Sequence, residues 1–415
     1  MHTLQLWLIL LAFVLIVLED VVHINKAKST LFLGSLVWIL AFVFPEGGHG
    51  AAAIQEALNE NLLEIATLWL FLMAAMTFVT YLNQQGLITQ IVYRLLPAAM
   101  SQRQLMLMMA VLALVFSSLA DNITASLIML SLLASLKLEK QEMLKFAALL
   151  VFAVNSGGVA LITGDVTTLM IFLADKVSVV DLFLLIPAAT VGVLVLLGCL
   201  LRGADEKHYE MPKFKRPLAW QDQLIGLLFL ATIGSTLFLS VFYRVPPLLS
   251  FLFGLSVMFL AYQLIYRGRK ERPNILEYMR DIEFDTLLFF LGVLLLVGML
   301  KELKVLDQLP LLYQYMPTLF ANYFVGLLSA LVDNVPLTAA ILKSGVEMDK
   351  ADWLCLTYAA GVGGSLLIVG SAAGVIAMSK LSELTFISYL RFVHWMLAAY
   401  TAGYAATWLI ANLLV

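Results

Sequence analysis

The chain has 415 residues, of which 62% are hydrophobic and only 13% charged, with a formal net charge of -3. Its mean hydropathy is +0.95. Soluble domains carry about 25% charged residues. Long apolar runs recur here along the whole length, which excludes a soluble protein and a single targeting segment. The runs do not alternate, as the strands of a membrane β-barrel would. The expected class is an all-α polytopic membrane protein. It is not an enzyme, it has no nucleic-acid partner, and no segment is long enough to fold alone in water. Cys199 and Cys355 both lie in apolar spans and read as small core residues rather than a disulfide or metal site.

In chain order, apolar spans are predicted over residues 4–18, 30–44 and 62–80. Residues 104–136 follow, an apolar stretch interrupted by FSSLADNITASLIML, with Asp121 and Asn122 at its centre. It is too short to cross twice and too long to cross once unbroken, and reads as a re-entrant helical hairpin. Irregular backbone at such depth requires a covering of protein or a cavity. Spans at 144–174 and 181–201 complete the first half. Residues 202–221, containing RGADEKHYEMPKFKRP, read as a cytoplasmic linker. The second half offers spans at 222–243, 246–266 and 284–300, a second interrupted stretch at 317–342, and spans at 352–378 and 386–413. The second interruption reads LLSALVDNVPLTAAIL, with Asp333 and Asn334 at its centre.

Letting residues 19–29 face the cytoplasm and alternating sides, with each hairpin returning to its own side, puts 19 of the 25 Lys and Arg inside. The outer segments keep Lys176, Arg244, Lys301, Lys304, Lys343 and Lys350. This asymmetry obeys the positive-inside rule and places both termini outside. Counting either hairpin as one crossing would invert every later loop. Asp175, Asp181, Asp222, Glu283 and Asp285 read as interfacial, and His394 as packed in the last span.

Each half thus holds about five spans and one hairpin, and the odd number of crossings turns the second half upside down. Residues 1–201 and 222–415 are expected to be inverted-topology repeats. A second correspondence supports the duplication. NSGGVALITGDVTTLM, residues 155–170, aligns with GVGGSLLIVGSAAGVIAM, residues 361–378. Gly157 and Gly158 match Gly363 and Gly364, Gly164 matches Gly370, and Asp165 falls opposite Ser371. Glycine inside a helix costs about 1 kcal/mol relative to alanine. Gly157, Gly158 and Gly164 are therefore expected to break the span at 144–174. The glycines of 352–378 read equally as a break or as close helix packing.

A carboxylate at bilayer depth costs about 2.5–3.5 kcal/mol on insertion scales. Asp121 and Asp333 also read as helix N-caps, but a cap alone could be Ser or Asn, so a function is assigned to both. The first half offers Asp121, Asn122, Thr124, Asn155, Asp165, Thr167 and Thr168, and the second Ser329, Asp333, Asn334, Thr338, Ser365 and Ser371. Carboxylate, amide and hydroxyl oxygens suit a small hard cation. The motifs contain no His or Cys for a transition metal and no Lys or Arg for an anion. Na+ is placed at Asp121, Asn122, Asn155 and Asp165. Asp165 has an alternative partner in Lys176. Protons compete with a cation for the same buried carboxylates, so one site can couple the two.

These four motifs resemble the signature segments of NhaD-type sodium/proton antiporters, in the ion transporter superfamily, and the resemblance covers both halves. It implies export of Na+ or Li+ in exchange for H+ across the inner membrane, for sodium and alkaline-pH tolerance. It also implies an elevator-like motion of the hairpins and broken spans against a scaffold. Expected partners are Na+, Li+, H+ and the lipid bilayer, with a homodimer as one possible assembly and no cofactor. One departure stands out. The family carries a Ser-Pro pair where this chain has Leu161 and Ile162, which removes a hydroxyl and a kink and leaves ion preference open. The nearest rival is a superfamily anion transporter, of dicarboxylate or arsenite type. Those carriers place Ser-Asn-Thr at their hairpin tips, where Asp121 and Asp333 would repel the substrate. An intramembrane aspartyl protease fits worse, because neither Asp121 nor Asp333 follows a Tyr.

Overall fold

The computed structural model describes residues 2–22, 24–45, 51–136, 138–202, 207–210, 219–267, 275–381 and 383–415. Sixteen principal helices run α1 His2–Val17, α2 Lys26–Val43, α3 Ala51–Gln84, α4 Gln102–Leu119, α5 Asn122–Ser135, α6 Lys140–Gly158, α7 Val166–Leu173 and α8 Leu185–Leu200 in the first half. The second half holds α9 Trp220–Tyr243, α10 Pro247–Ile265, α11 Phe284–Glu302, α12 Thr318–Ser329, α13 Asn334–Lys343, α14 Lys350–Gly363, α15 Ala372–Lys380 and α16 Val393–Leu414. Among the described residues, eight helical segments are long and apolar enough to cross a membrane: α2, α3, α4, Val179–Leu200, α9, α10, α11 and α16.

The chain divides into two compact units, each drawing one segment from either half. The first comprises Met1–Arg94 and Phe214–Glu302, and the second Leu95–Lys213 and Leu303–Val415. In the first unit α1 packs on α2 and α9 on α10, α2 packs on α11 and α10 on α3, and α3 meets α11. In the second unit α4 packs on α6 and α12 on α14, α5 on α15 and α13 on α7, α6 on α8 and α14 on α16. There α6 also meets α14, and α8 meets α16. Shifting every helix number by eight returns each of these pairs.

The α8–α16 crossing illustrates the rule at atomic scale. Each helix carries Ala-x3-Gly there, Ala188 with Gly192 and Ala399 with Gly403. A Cβ on Gly192 would lie 3.1 Å from the Ala399 carbonyl oxygen, and one on Gly403 would lie 3.2 Å from that of Ala188. Small residues at this spacing let two backbones approach closely where lipid supplies no hydrophobic drive.

Four helices begin inside apolar sequence, and each starts at a polar cap. Asp121, Asp165, Asp333 and Ser371 are the N-caps of α5, α7, α13 and α15, and their side chains accept from Thr124, Thr167, Val335 and Gly374 N–H groups respectively. A helix start leaves N–H groups unpaired, and at bilayer depth water cannot satisfy them. Helix α6 stops at Gly158 and α7 begins at Val166, while α14 stops at Gly363 and α15 begins at Ala372. The second break is bridged by one 3-10 turn, Ile368–Gly370.

Three features depart from the sequence reading. Helix α3 runs 34 residues, eleven more at its N-terminal end than the predicted span at 62–80. Its extra turns are rich in Ala, Glu and Gln, strong helix formers that an apolar window misses, and Gln55 donates to Asn59 one turn on. Asp222 is buried rather than interfacial, accepting a 2.8 Å hydrogen bond from the Tyr81 hydroxyl. His394 is exposed, its ring 4.6 Å from that of Trp395.

Of the linker read at 202–221, residues 203–206 and 211–218 lie outside the described set. His208–Glu210 forms a strand antiparallel to Ala99–Ser101. Beside it Lys207 Nζ reaches Glu139 at 2.7 Å and Glu142 at 3.0 Å. Burial pushes the Glu142 carboxyl up, but the Glu139 N–H and the Lys207 ammonium outweigh it and hold the group below its ordinary value. A depressed carboxyl contributes stability above its unfolded pKa and loses it as pH falls through the folded one. The carboxyl side of this clasp is therefore expected to hold at neutral pH and to weaken as pH falls through the depressed pKa.

Candidate ion site

Every residue singled out as a site candidate belongs to the second unit. The tip of the first hairpin lies between α4 and α5. Asp121 Oδ1 accepts from the Thr124 N–H at 2.7 Å and Oδ2 from its hydroxyl at 2.9 Å. Asn122 N–H donates to the Gly164 carbonyl at 3.2 Å, which ties this tip to the break in its own half. Ser118 Oγ donates to Gly157 O at 2.7 Å, and Thr163 Oγ1 to Ser118 O at 2.8 Å.

The glycines explain how helices and breaks come so close. A Cβ on Gly157 would strike the backbone of Leu114, and one on Gly158 the amide of Asn122. One on Gly164 would lie 2.5 Å from the Gly158 carbonyl oxygen. The second half copies this. A Cβ on Gly363 would strike the backbone of Gly326, and one on Gly370 would lie 2.6 Å from Ala330 O and 2.7 Å from Gly364 O. Gly364 in turn faces Gly370 O at 2.6 Å. The two readings of these glycines, break and close packing, are both realised at the same positions.

At these motifs two side-chain hydrogen bonds join the halves. Asn334 Nδ2, at the second hairpin tip, donates to Asp165 Oδ2 at 3.2 Å. Asn155 Nδ2, near the end of α6, donates to Ser371 Oγ at 3.0 Å. Each therefore sits at the N-terminus of a short helix from the opposite half of the chain, where the macrodipole favours negative charge. The two ends are not alike. Asp165 is a carboxylate, 7% exposed, and the residue equivalent to Asn155 on α14 is Gly361, whose Cβ would lie 3.1 Å from Asp165 Oδ2. The other end holds only a hydroxyl and an amide.

In these motifs, among the described residues, the side-chain oxygens buried without a hydrogen-bond partner include Asn155 Oδ1, Ser156 Oγ, Thr167 Oγ1 and Thr338 Oγ1. Buried polar atoms in folded proteins nearly always have a partner, so these fit an ion or water. Among the described residues no cluster of three or more His, Cys, Asp or Glu could hold a metal.

The remaining candidates separate by role. Thr168 Oγ1 points to Val159 O at 3.5 Å, Ser329 Oγ donates to Ala360 O at 2.7 Å, and Ser365 Oγ donates to Val362 O at 2.6 Å. Asp333 caps α13 through Val335 N–H at 3.2 Å. Asp165 is bonded to Asn334 and Thr167, while Lys176 lies over the Trp353 ring at 5.3 Å. Leu161 and Ile162 are buried in the break, where the Leu161 carbonyl accepts from Gly164 N at 3.0 Å. Sequence reasoning passed over Ser117, Ser118 and Thr163. The first two lie inside the first hairpin motif, and their only signal was two adjacent hydroxyls four and three residues before the aspartate.

The citrate transporter family model matches residues 10–354. The Na+/H+ antiporter NhaD of Vibrio cholerae is 32% identical over 95% of this chain and 88% of its own length. The chain belongs to the NhaD family of Na+/H+ antiporters. Two further members are the NhaD antiporters of Halomonas elongata, 31% identical over 95% of this chain and 86% of its own, and of Alkalimonas amylolytica, 30% identical over 97% and 89%.

Proposed function

We propose that this chain is a secondary active antiporter of the inner membrane that exports Na+ or Li+ from the cytoplasm in exchange for H+. The observation that carries the reading is Asp165. It is a buried carboxylate at a half-helix N-terminus, held by an amide from the other half and flanked by hydroxyl oxygens without partners. An ionised carboxylate there attracts a cation and a protonated one does not. Asp121 and Asp333 supply further carboxylates at the hairpin tips. Family membership supports the ion pair exchanged.

The division of the chain into two units supports a reading of alternating access. All candidate ion residues lie in the second unit, and we propose that this unit moves as one body in an elevator-like step. The packing rule under a shift of eight helices supports two inverted repeats, with residues 104–136 and 317–342 as re-entrant hairpins. The charge asymmetry supports cytoplasmic placement of 202–221 and 267–283, with both termini outside. Residues 268–274 of the latter loop lie outside the described set. Single cysteines at positions 210 and 413 are expected to react with an impermeant thiol reagent from opposite sides. Labelling from one side would sink the inverted topology.

The assay for function uses everted membrane vesicles with a respiration-generated proton gradient. Adding Na+ or Li+ to the cytoplasmic face is expected to dissipate the gradient, read by dequenching of a pH dye. No response to any alkali cation across an alkaline pH series would refute antiport. The family model's description favours a second reading, transport of citrate or a related carboxylate. That substrate would have to approach Asp121, Asp165 and Asp333 with no Lys or Arg in the motifs to offset them. Labelled citrate uptake that the unlabelled acid competes away would favour that reading.

A further inference from the structure

Ser117 lies fully buried on α4, with two oxygens 2.6 Å from its Oγ: Asn122 Oδ1 and the Val154 carbonyl. A hydroxyl carries one proton. With Oδ1 on that side, one of the two contacts has no proton between its oxygens, and two bare lone pairs at 2.6 Å repel.

The other repeat shows which acceptor takes the proton. Ser329 stands four residues before Asp333, as Ser117 stands four before Asp121. Its Oγ donates to the carbonyl of Ala360, three residues before Gly363, just as Val154 is three before Gly157. By this equivalence Ser117 donates to Val154 O and needs a donor from Asn122. The two ends of a carboxamide are nearly the same in shape, so the network decides which is nitrogen.

We infer that Ser117 is a positioning residue for the cation site. It accepts an N–H from the Asn122 amide and thereby turns the Asn122 carbonyl oxygen to the opposite side, as an oxygen ligand at the hairpin tip. Glycine at 158 leaves room for the amide in either orientation, since a Cβ there would strike both of its ends, so the choice falls to Ser117. The inference rests on the cation-exchange reading above. Without Ser117 the amide has no reason to prefer one orientation, and the site loses its oxygen for part of the time.

The test is a double-mutant cycle read in everted vesicles as Na+ and Li+ dose–response curves at one alkaline pH. Ser117→Ala is expected to raise the apparent KM about 3- to 10-fold, the scale of one lost hydrogen bond, with maximal rate within about twofold. Ser117→Thr, which keeps the hydroxyl, is expected to restore the KM, and Ser117→Cys, near in size with a weak acceptor, to resemble Ala. In an Asn122→Ala background Ser117→Ala is expected to add nothing, because it acts through that amide. If Ala reduces the protein in the membrane, the Thr and Cys variants carry the comparison. A wild-type KM in both Ala and Cys variants, a change in maximal rate alone, or additive effects with Asn122→Ala would overturn the assignment. If the wild-type chain itself exchanges no alkali cation, the cation reading falls instead.

Discussion

Asp165→Asn is expected to abolish Na+-driven proton movement while leaving protein in the membrane. The substitution keeps the size and planarity of the side chain. Its remaining carbonyl oxygen can still accept from the Thr167 N–H or from Asn334 Nδ2, so α7 keeps a cap, and Asn is as good a cap as Asp. What disappears is the titratable negative charge. Removing one partner of a buried charge pair typically costs about 3–5 kcal/mol, which is a loss of cation affinity of about 100-fold or more. The loss of the proton carrier is more severe, because exchange then has no second ion to move. Asp121→Asn and Asp333→Asn are expected to cut exchange severely as well, since each removes a carboxylate from a hairpin tip. Vesicle assays normalised to protein content decide the matter. Wild-type rates in the Asp165 and Asp121 variants together would refute coupling through these carboxylates.

The breaks in this fold were legible because they depend on local chemistry. Gly157, Gly158, Gly164 and the capping Asp165 sit within a dozen residues, and so do Gly363, Gly364, Gly370 and Ser371. Asp121 and Asp333 announced themselves by the cost of burying charge. The pairing of those parts was not legible. Asn155 meets Ser371 across 216 residues of sequence, and Asn334 meets Asp165 across 169. Such pairs are fixed by tertiary packing of α5 on α15 and α13 on α7, which hydropathy does not encode. The expected Na+ set joined Asp121, Asn122, Asn155 and Asp165 from one repeat. The structure pairs Asp165 and Asn155 with the other repeat and leaves Asp121 bonded to Thr124. Ser117 escaped notice because its role is a matter of one proton, not of residue type. The strand pair beside Lys207 was missed for a similar reason: three residues of strand in a charged linker have no periodicity to read.

The last expected result concerns competition between the two ions. If Na+ and H+ share the carboxylates, the apparent KM for Na+ should rise as pH falls, with little change in maximal rate. Protonation neutralises the ligand and empties the site of Na+, and higher Na+ restores occupancy by mass action. For one shared proton the linkage gives a KM that climbs about tenfold per pH unit below the pKa of the Na+-free site and is flat above it. The reciprocal statement holds too: Na+ must weaken proton binding by the same factor. Dose–response curves taken over a pH series should therefore converge at saturating Na+. The orphaned oxygens of Thr167 and Thr338 sharpen this expectation, because hydroxyls hold a cation at any pH but cannot carry a proton across. In Thr338→Val the KM should rise at every pH by a similar factor, shifting the curves in parallel, whereas changes at Asp165 should alter their slope. A pH effect confined to maximal rate, with KM constant, would place the proton on a separate group and refute the shared site, although Asp165 could then still bind Na+.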